Sequence, residues 1–247
     1  MEEVFHAQWT EHYKVILPKG YSPTHRYGAV YFLHGKGGDR HLVDALGMCA
    51  ELDRMVDTGA TPFVVIAPDG GNGYWMNGAL TQERWGDLVT HDLIRDAEKK
   101  YSLISNQAGR IIAGISMGGH GAIQLTLNNP GIYGAVAAHS PVFRTQAQAS
   151  QDFYYQFGTG IEYMKRDPFS MMQVFGKRFN VPIYMDMGGS DPWITNTRNF
   201  LSLLQAYGYT REFHVGEDAG GGHEMGYWQY HLSSYMRWYS AHLPRVN

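Results

Sequence analysis

The sequence predicts an α/β fold, with a mostly parallel central sheet and helices on both faces. Three observations carry this. Short continuous apolar runs, rich in β-branched and aromatic residues, recur along the chain as suits strands buried on both faces. Segments with helical periodicity alternate with those runs. Glycine and proline fall mainly between the two kinds of segment, as punctuation. The chain has 247 residues, 44% of them hydrophobic, enough for one sizeable core without demanding a second, so residues 1–247 are read as a single domain.

The elements follow in order. YKVILP (13–18) is an opening strand ended by Pro18 and Gly20. AVYFLHG (29–35) and PFVVIAPDG (62–70) are buried strands, and DRHLVDALGMCAELDRMVDTG (39–59) between them is one helix stopped by Gly59. WGDLVTHDLIRDAEKKY (85–101) repeats the helical period, and RIIAGIS (110–116) is the next buried strand. The alternation continues with GAIQLTLNN (121–129) as helix, GAVAAHS (134–140) and VPIYMDMGG (181–189) as strands, TRNFLSLLQAYG (197–208) as helix and YTREFHVG (209–216) as strand. A last helix carries Trp228, Leu232, Tyr235, Met236 and Tyr239 at helical spacing. In such sheets ligands bind beyond the carboxyl ends of the strands, so chemistry is sought in the loops that follow them.

Several function classes are disfavoured. With 20 Lys+Arg against 23 Asp+Glu and no basic run, the chain offers no electrostatic footprint for nucleic acid. The N-terminus lacks the charge pattern of a leader, and no apolar run is long enough for a membrane span. A leader removed earlier would leave no trace, so a cytoplasmic and a secreted location both stay open, as does a homo-oligomer. The lone Cys49 cannot form an internal disulfide. No H-E-x-x-H, C-x-x-C or tight ligand cluster suggests a metal, and no phosphate-loop or dinucleotide signature suggests a cofactor; neither is expected.

The segment GISMGGHGA (114–122) is the most informative. Gly114, Ser116 and Gly118 form G-x-S-x-G, and Ser116 falls where a buried strand turns sharply into a helix. Such a turn exposes the hydroxyl and crowds the backbone, which Gly114, Gly118 and Gly119 accommodate. The helix N-terminus behind it favours developing negative charge. A serine needs a base, and the base needs an orienting acid. Among twelve histidines, His223 stands out because it lies in a Gly-rich loop after the last strand and before the last helix. His6, His12, His25, His214, His231 and His242 read as packing or surface residues, while His139, at a strand end, is a weaker rival. Asp191, in a turn-rich loop after a buried strand, is the preferred acid over Asp186, which lies within that strand, and Asp218, which is too close to His223 in sequence. The order Ser116, Asp191, His223 is that of α/β-hydrolase triads. The backbone N–H groups of Met117 and Lys36, the latter in LHGKGG (33–38), are the expected oxyanion donors.

YFLHGKGGD, VVIAPDGG, AGISMGGHGAIQLTLNNPGIYGAVAAHSP, GSD and GGGHEMGYWQYHL together resemble the esterase D-like branch of α/β-hydrolases, over about Tyr13 to Leu243. That branch includes feruloyl and acetylxylan esterases, S-formylglutathione hydrolases, short-chain acyl esterases and mycolyltransferases. The resemblance implies an α/β-hydrolase fold and a serine esterase acting on short-chain acyl or aromatic, feruloyl- or acetyl-type, esters. The substrate would be a small-molecule or carbohydrate-linked ester, and no cofactor would be needed. It places nucleophile, acid and base at Ser116, Asp191 and His223 and the oxyanion donors at Lys36 and Met117. An acyltransferase or a thioesterase would use the same triad, whereas a non-catalytic binding protein on this fold should lack one of its members. PDGGNGYWMNG resembles the family's pocket-side loop, so Trp75 either touches substrate or anchors the loop; His34 and His120 are the other expected substrate contacts. Residues 141–180, rich in aromatics and methionine, form either a small cap over the pocket or a pair of packing helices.

Overall fold

The computed structural model of the chain describes residues 13–176, 180–209 and 212–246. In chain order, β1 (Tyr13–Ile16) leads to β2 (Gly28–Leu33), then to α1 (Leu42–Leu46) and α2 (Met48–Asp57), and on to β3 (Phe63–Pro68). The single helix expected over 39–59 is two helices. Gly47 takes φ 82°, a left-handed conformation without penalty for glycine, and its N–H closes α1 on the Asp44 carbonyl at 2.9 Å. The next helical stretch is also interrupted: α3 (Trp85–Asp87) and α4 (Leu93–Lys100) flank a π-helical turn, Leu88–Asp92, in which the Thr90 hydroxyl donates to the Gly86 carbonyl at 2.8 Å.

β4 (Arg110–Ile115) runs into α5 (Met117–Asn128), and β5 (Ala135–His139) follows. Four short helices then precede β6 (Ile183–Met187): α6 (Gln146–Asp152), α7 (Tyr154–Phe157), α8 (Ile161–Met164) and α9 (Pro168–Phe175). This aromatic segment contains no strand among the described residues, and its helices are started by local chemistry. Thr145 and Gln148 form a reciprocal capping box at α6, while Asp167 caps α9 with Pro168 as the first helical residue. The chain ends with α10 (Ile194–Ala206), β7 (Glu212–Val215) and α11 (Met225–His242). Among the described residues no helix is long and apolar enough to cross a membrane.

The sheet has the order β1-β3-β2-β4-β5-β6-β7, and every neighbouring pair is parallel except β1 with β3. Side chains alternate between two cores. On β2, Val30 and Phe32 join the layer with α1, α2 and α11, while Tyr31 and Leu33 join the layer with α4, α5 and α10. Burial on both faces is why these strands read as continuous apolar runs. From β2 the chain goes outward to β3 and returns past β2 to β4, so the loops after β2 and β4 diverge at the switch point where α/β sheets open a crevice. Gly35 and Ser116 lie at that point, and a Cβ on Gly35 would sit 3.1 Å from Ser116 Cβ.

Candidate active site

Ser116 occupies the turn between β4 and α5 with φ 60° and ψ −117°, a conformation that costs energy for any residue with a Cβ. Neighbouring groups hold it there. Its N–H donates to the His139 carbonyl at 2.9 Å, and its own carbonyl accepts from the N–H groups of His120 and Val142, both at 3.1 Å. The close approach explains the glycines: a Cβ at Gly118 would run into the Leu33 carbonyl, and one at Gly114 into the Gly118 backbone.

Two loops deliver the partners of this serine. His223 Nδ1 donates to Asp191 Oδ2 at 2.8 Å, and the Ser116 hydroxyl reaches His223 Nε2 at 2.9 Å. Asp191 has no exposed side-chain surface, whereas His223 retains 21%. The second Asp191 oxygen accepts from the Trp193 N–H at 2.9 Å, so the carboxylate is fixed from two sides. The acid loop and the base loop are stitched together by backbone: Gly189 N–H to the Asp218 carbonyl at 2.7 Å and Ser190 N–H to the Gly221 carbonyl at 2.9 Å. A third contact comes from α11. Trp228 meets the His223 ring edge-on at 5.3 Å, and its indole N–H donates to Ser140 Oγ at 3.0 Å.

On the other side of Ser116, the Met117 amide is the first of α5 and has no carbonyl four residues back within its helix to bond. The Lys36 amide belongs to the loop that Gly35 presses against Ser116. This loop is braced from below. His34 Nδ1 donates to the Gly35 carbonyl at 2.7 Å while Nε2 accepts from the Gly70 N–H at 3.0 Å. The Trp75 indole N–H donates to the His34 carbonyl at 3.0 Å. Burial pushes the His34 pKa down, consistent with a neutral ring bonded in this way.

A model of the family Esterase, described as “Putative esterase”, matches residues 7–239. The chain belongs to this family. An esterase of Mycobacterium tuberculosis (strain H37Rv) is 28% identical over 139 residues, 53% of this chain and 29% of that protein, so the match spans less than a third of that relative. An acetyl esterase of Caldicellulosiruptor saccharolyticus is 23% identical over 228 residues, covering 85% of this chain and 82% of that one. Among solved structures, a ferulic acid esterase superposes with TM-score 0.81 at 22% identity, covering 94% and 92% of the two chains. The fluorophosphonate-binding serine hydrolase F of Staphylococcus aureus superposes with TM-score 0.78 at 17% identity, covering 92% and 91%. The architecture is the α/β-hydrolase fold.

In this Esterase-family chain Trp75, read from the sequence as a substrate contact or a loop anchor, and His34 and His120, read as substrate contacts, are all interior. Trp75 is fully buried, His34 is 2% exposed and His120 is 1% exposed. Trp75 and His34 act as the struts just described. His120 lies among Tyr74, Phe143 and Phe157, with ring centroids 5.1, 5.8 and 5.6 Å away, and neither ring nitrogen completes a hydrogen bond among the described residues. Burial lowers its pKa to about 3, against a smaller opposing pull from the Arg166 and Val142 backbone. The disfavoured candidates have other partners: His139 with Asp186 at 2.6 Å, Asp218 with His231 at 3.4 Å, and His214 with Glu217 at 2.8 Å. His242 bonds the Trp238 carbonyl and His25 is exposed, while His6 and His12 lie outside the described residues. Sequence reasoning did not single out Trp228 or Ser140 as parts of the site. The spacing of five residues between His223 and Trp228, across a helix start, was the available signal.

Proposed function

We propose that the protein is a serine carboxylic ester hydrolase working through an acyl-enzyme. The observation that carries this is the continuous path from the Ser116 hydroxyl through both His223 nitrogens to the buried Asp191 carboxylate, at 2.9 and 2.8 Å. In this reading His223 takes the hydroxyl proton as Ser116 attacks the ester carbonyl, and Asp191 keeps Nδ1 protonated and Nε2 free to accept. The Met117 and Lys36 amides receive the oxyanion, with the start of α5 adding its partial positive charge. His223 then returns the proton to the leaving alcohol. Water attacks the acyl-serine with the same groups acting in reverse, so charge and protons balance over the cycle.

Family membership supports ester chemistry, and the names of the ferulic acid esterase and acetyl esterase relatives support aromatic or short acyl esters as substrates. In this reading the short helices between β5 and β6 serve as a cap; the chain enters them from the carboxyl end of β5, the side of the sheet on which such folds bind ligands. Ser116→Ala should lower hydrolysis of p-nitrophenyl acetate by at least about 10³-fold. Full activity in that variant refutes the assignment, and acyl transfer to an added alcohol in preference to water would move the protein to the acyltransferases.

A further inference from the structure

We propose that the side chain of Lys36 selects esters bearing a negative charge close to the scissile carbonyl, such as half-esters of dicarboxylic acids or esters of acidic phenols; this rests on the hydrolase reading above. Lys36 directly follows Gly35, the residue packed against Ser116, so its side chain leaves the backbone next to the serine turn. That side chain is exposed, and its ammonium group stands 5.0 Å from the centre of the Phe153 ring. Phe153 belongs to the helical segment after β5 and is only 6% exposed, so the ring forms a wall between that segment and the Lys36 loop.

A second cation meets the same wall, and its charge is already engaged. The Arg144 guanidinium lies 4.7 Å from the Phe153 ring and 4.9 Å from Trp193, donates to the Tyr74 hydroxyl at 2.5 Å, and pairs with Asp152 at 2.9 Å. The nearby acids on the Lys36 side are also directed elsewhere: Asp39 Oδ1 accepts the His41 N–H at 2.7 Å, and Asp69 pairs with Arg40 at 2.5 Å. Among the described residues no carboxylate pairs with Lys36 Nζ. Arg144 is paired with Asp152, so Lys36 is the cation on this wall whose ammonium meets a ring and no carboxylate among the described residues, in a chain whose net charge is −3. An ammonium resting on a ring at an exposed site is weakly held, and an anion delivered with the substrate, partly desolvated against Phe153, offers it a stronger partner.

Two measurements test this. The first compares kcat/KM for mono-p-nitrophenyl succinate with that for p-nitrophenyl butyrate, and for 4-acetoxybenzoate with that for phenyl acetate, in wild type, Lys36→Met and Lys36→Arg. The charged-to-neutral ratio in at least one pair should fall about tenfold in Lys36→Met, carried by KM, and be kept in Lys36→Arg. The second needs no turnover: phenyl hydrogen succinate binding to Ser116→Ala protein should weaken by a similar factor when Lys36→Met is added, with phenyl butyrate as the neutral control. Ratios and affinities that do not depend on charge overturn the proposal. Loss of hydrolysis for every ester, with charge-dependent binding intact, would instead overturn the hydrolase reading.

Discussion

Two histidine–aspartate pairs stand at the same end of the sheet, and they differ in what the second ring nitrogen meets. In the first pair, His139 at the end of β5 bonds Asp186 within β6 at 2.6 Å, and its other nitrogen meets the Tyr239 hydroxyl at 2.5 Å. Tyr235 donates to the remaining Asp186 oxygen at 2.5 Å and stacks on the His139 ring with centroids 3.7 Å apart. His139 is 0% exposed. The second pair, His223 and Asp191, repeats the Nδ1-to-carboxylate bond, yet the far nitrogen meets a serine on a strained turn and part of the ring is open to solvent. The first pair comes from strands and is enclosed by α11, whereas the second comes from the loops beyond the strands. A His–Asp bond alone therefore does not mark a reactive site. What matters is the group at the far nitrogen and whether substrate can reach it.

Substitutions can break this comparison. The largest effect is expected for His223→Ala, which should reduce kcat for a short p-nitrophenyl ester by about 10⁴- to 10⁶-fold while leaving urea stability nearly unchanged. Asp191→Asn should cost on the order of 10³- to 10⁴-fold in kcat, because an amide no longer holds the ring in the required tautomer. The buried pair should behave in the opposite way. Tyr235→Phe removes one donor from the enclosed Asp186 carboxylate and should cost about 2 kcal/mol in urea unfolding, with kcat of the folded protein within about twofold of wild type.

A pH measurement sharpens the contrast further. His120 has a pKa of about 3 in the fold because of burial, against an ordinary value of 6.5. The folded state binds fewer protons than the unfolded one between those values, so this stability is complete above pH 6.5 and is lost progressively as pH falls toward 3. At pH 5 the loss should be about 2 kcal/mol, and His120→Leu should flatten the corresponding slope in unfolding experiments. The smallest effect is expected for Trp228→Phe, which keeps a ring against His223 but loses the bond to Ser140. A fall in kcat of about tenfold with KM unchanged is expected if that bond steadies the base.

The sequence made the architecture legible wherever hydrophobic pattern and punctuation agreed. Strands buried on both faces, such as GAVYFL and FVVIAP, have no other plausible reading once helices alternate with them. Ser116, Asp191 and His223 could be picked because each occupies a loop after a strand, and the rejection of Asp186 rested on its position inside β6. The interruptions at Gly47 and at the π turn over 88–92 were not visible, since an amphipathic period survives both. Nor could the sequence say which rings of the loop from 69 to 78 fold inward. Trp75 became a buried strut because its indole N–H found the His34 carbonyl, a partner 41 residues away. The bond from Trp228 to Ser140 spans 88 residues and was hidden for the same reason.

The central claim is that His223, and not the enclosed His139, makes one serine nucleophilic. The most direct test is the rate and site of covalent labelling by a fluorophosphonate, followed by intact mass and peptide mapping in wild type, His223→Ala and His139→Gln. A single adduct on Ser116, formed at comparable rates in wild type and His139→Gln and slower by orders of magnitude in His223→Ala, is the predicted result. Labelling of Ser116 at an undiminished rate in His223→Ala, or an adduct on a different residue, would contradict it.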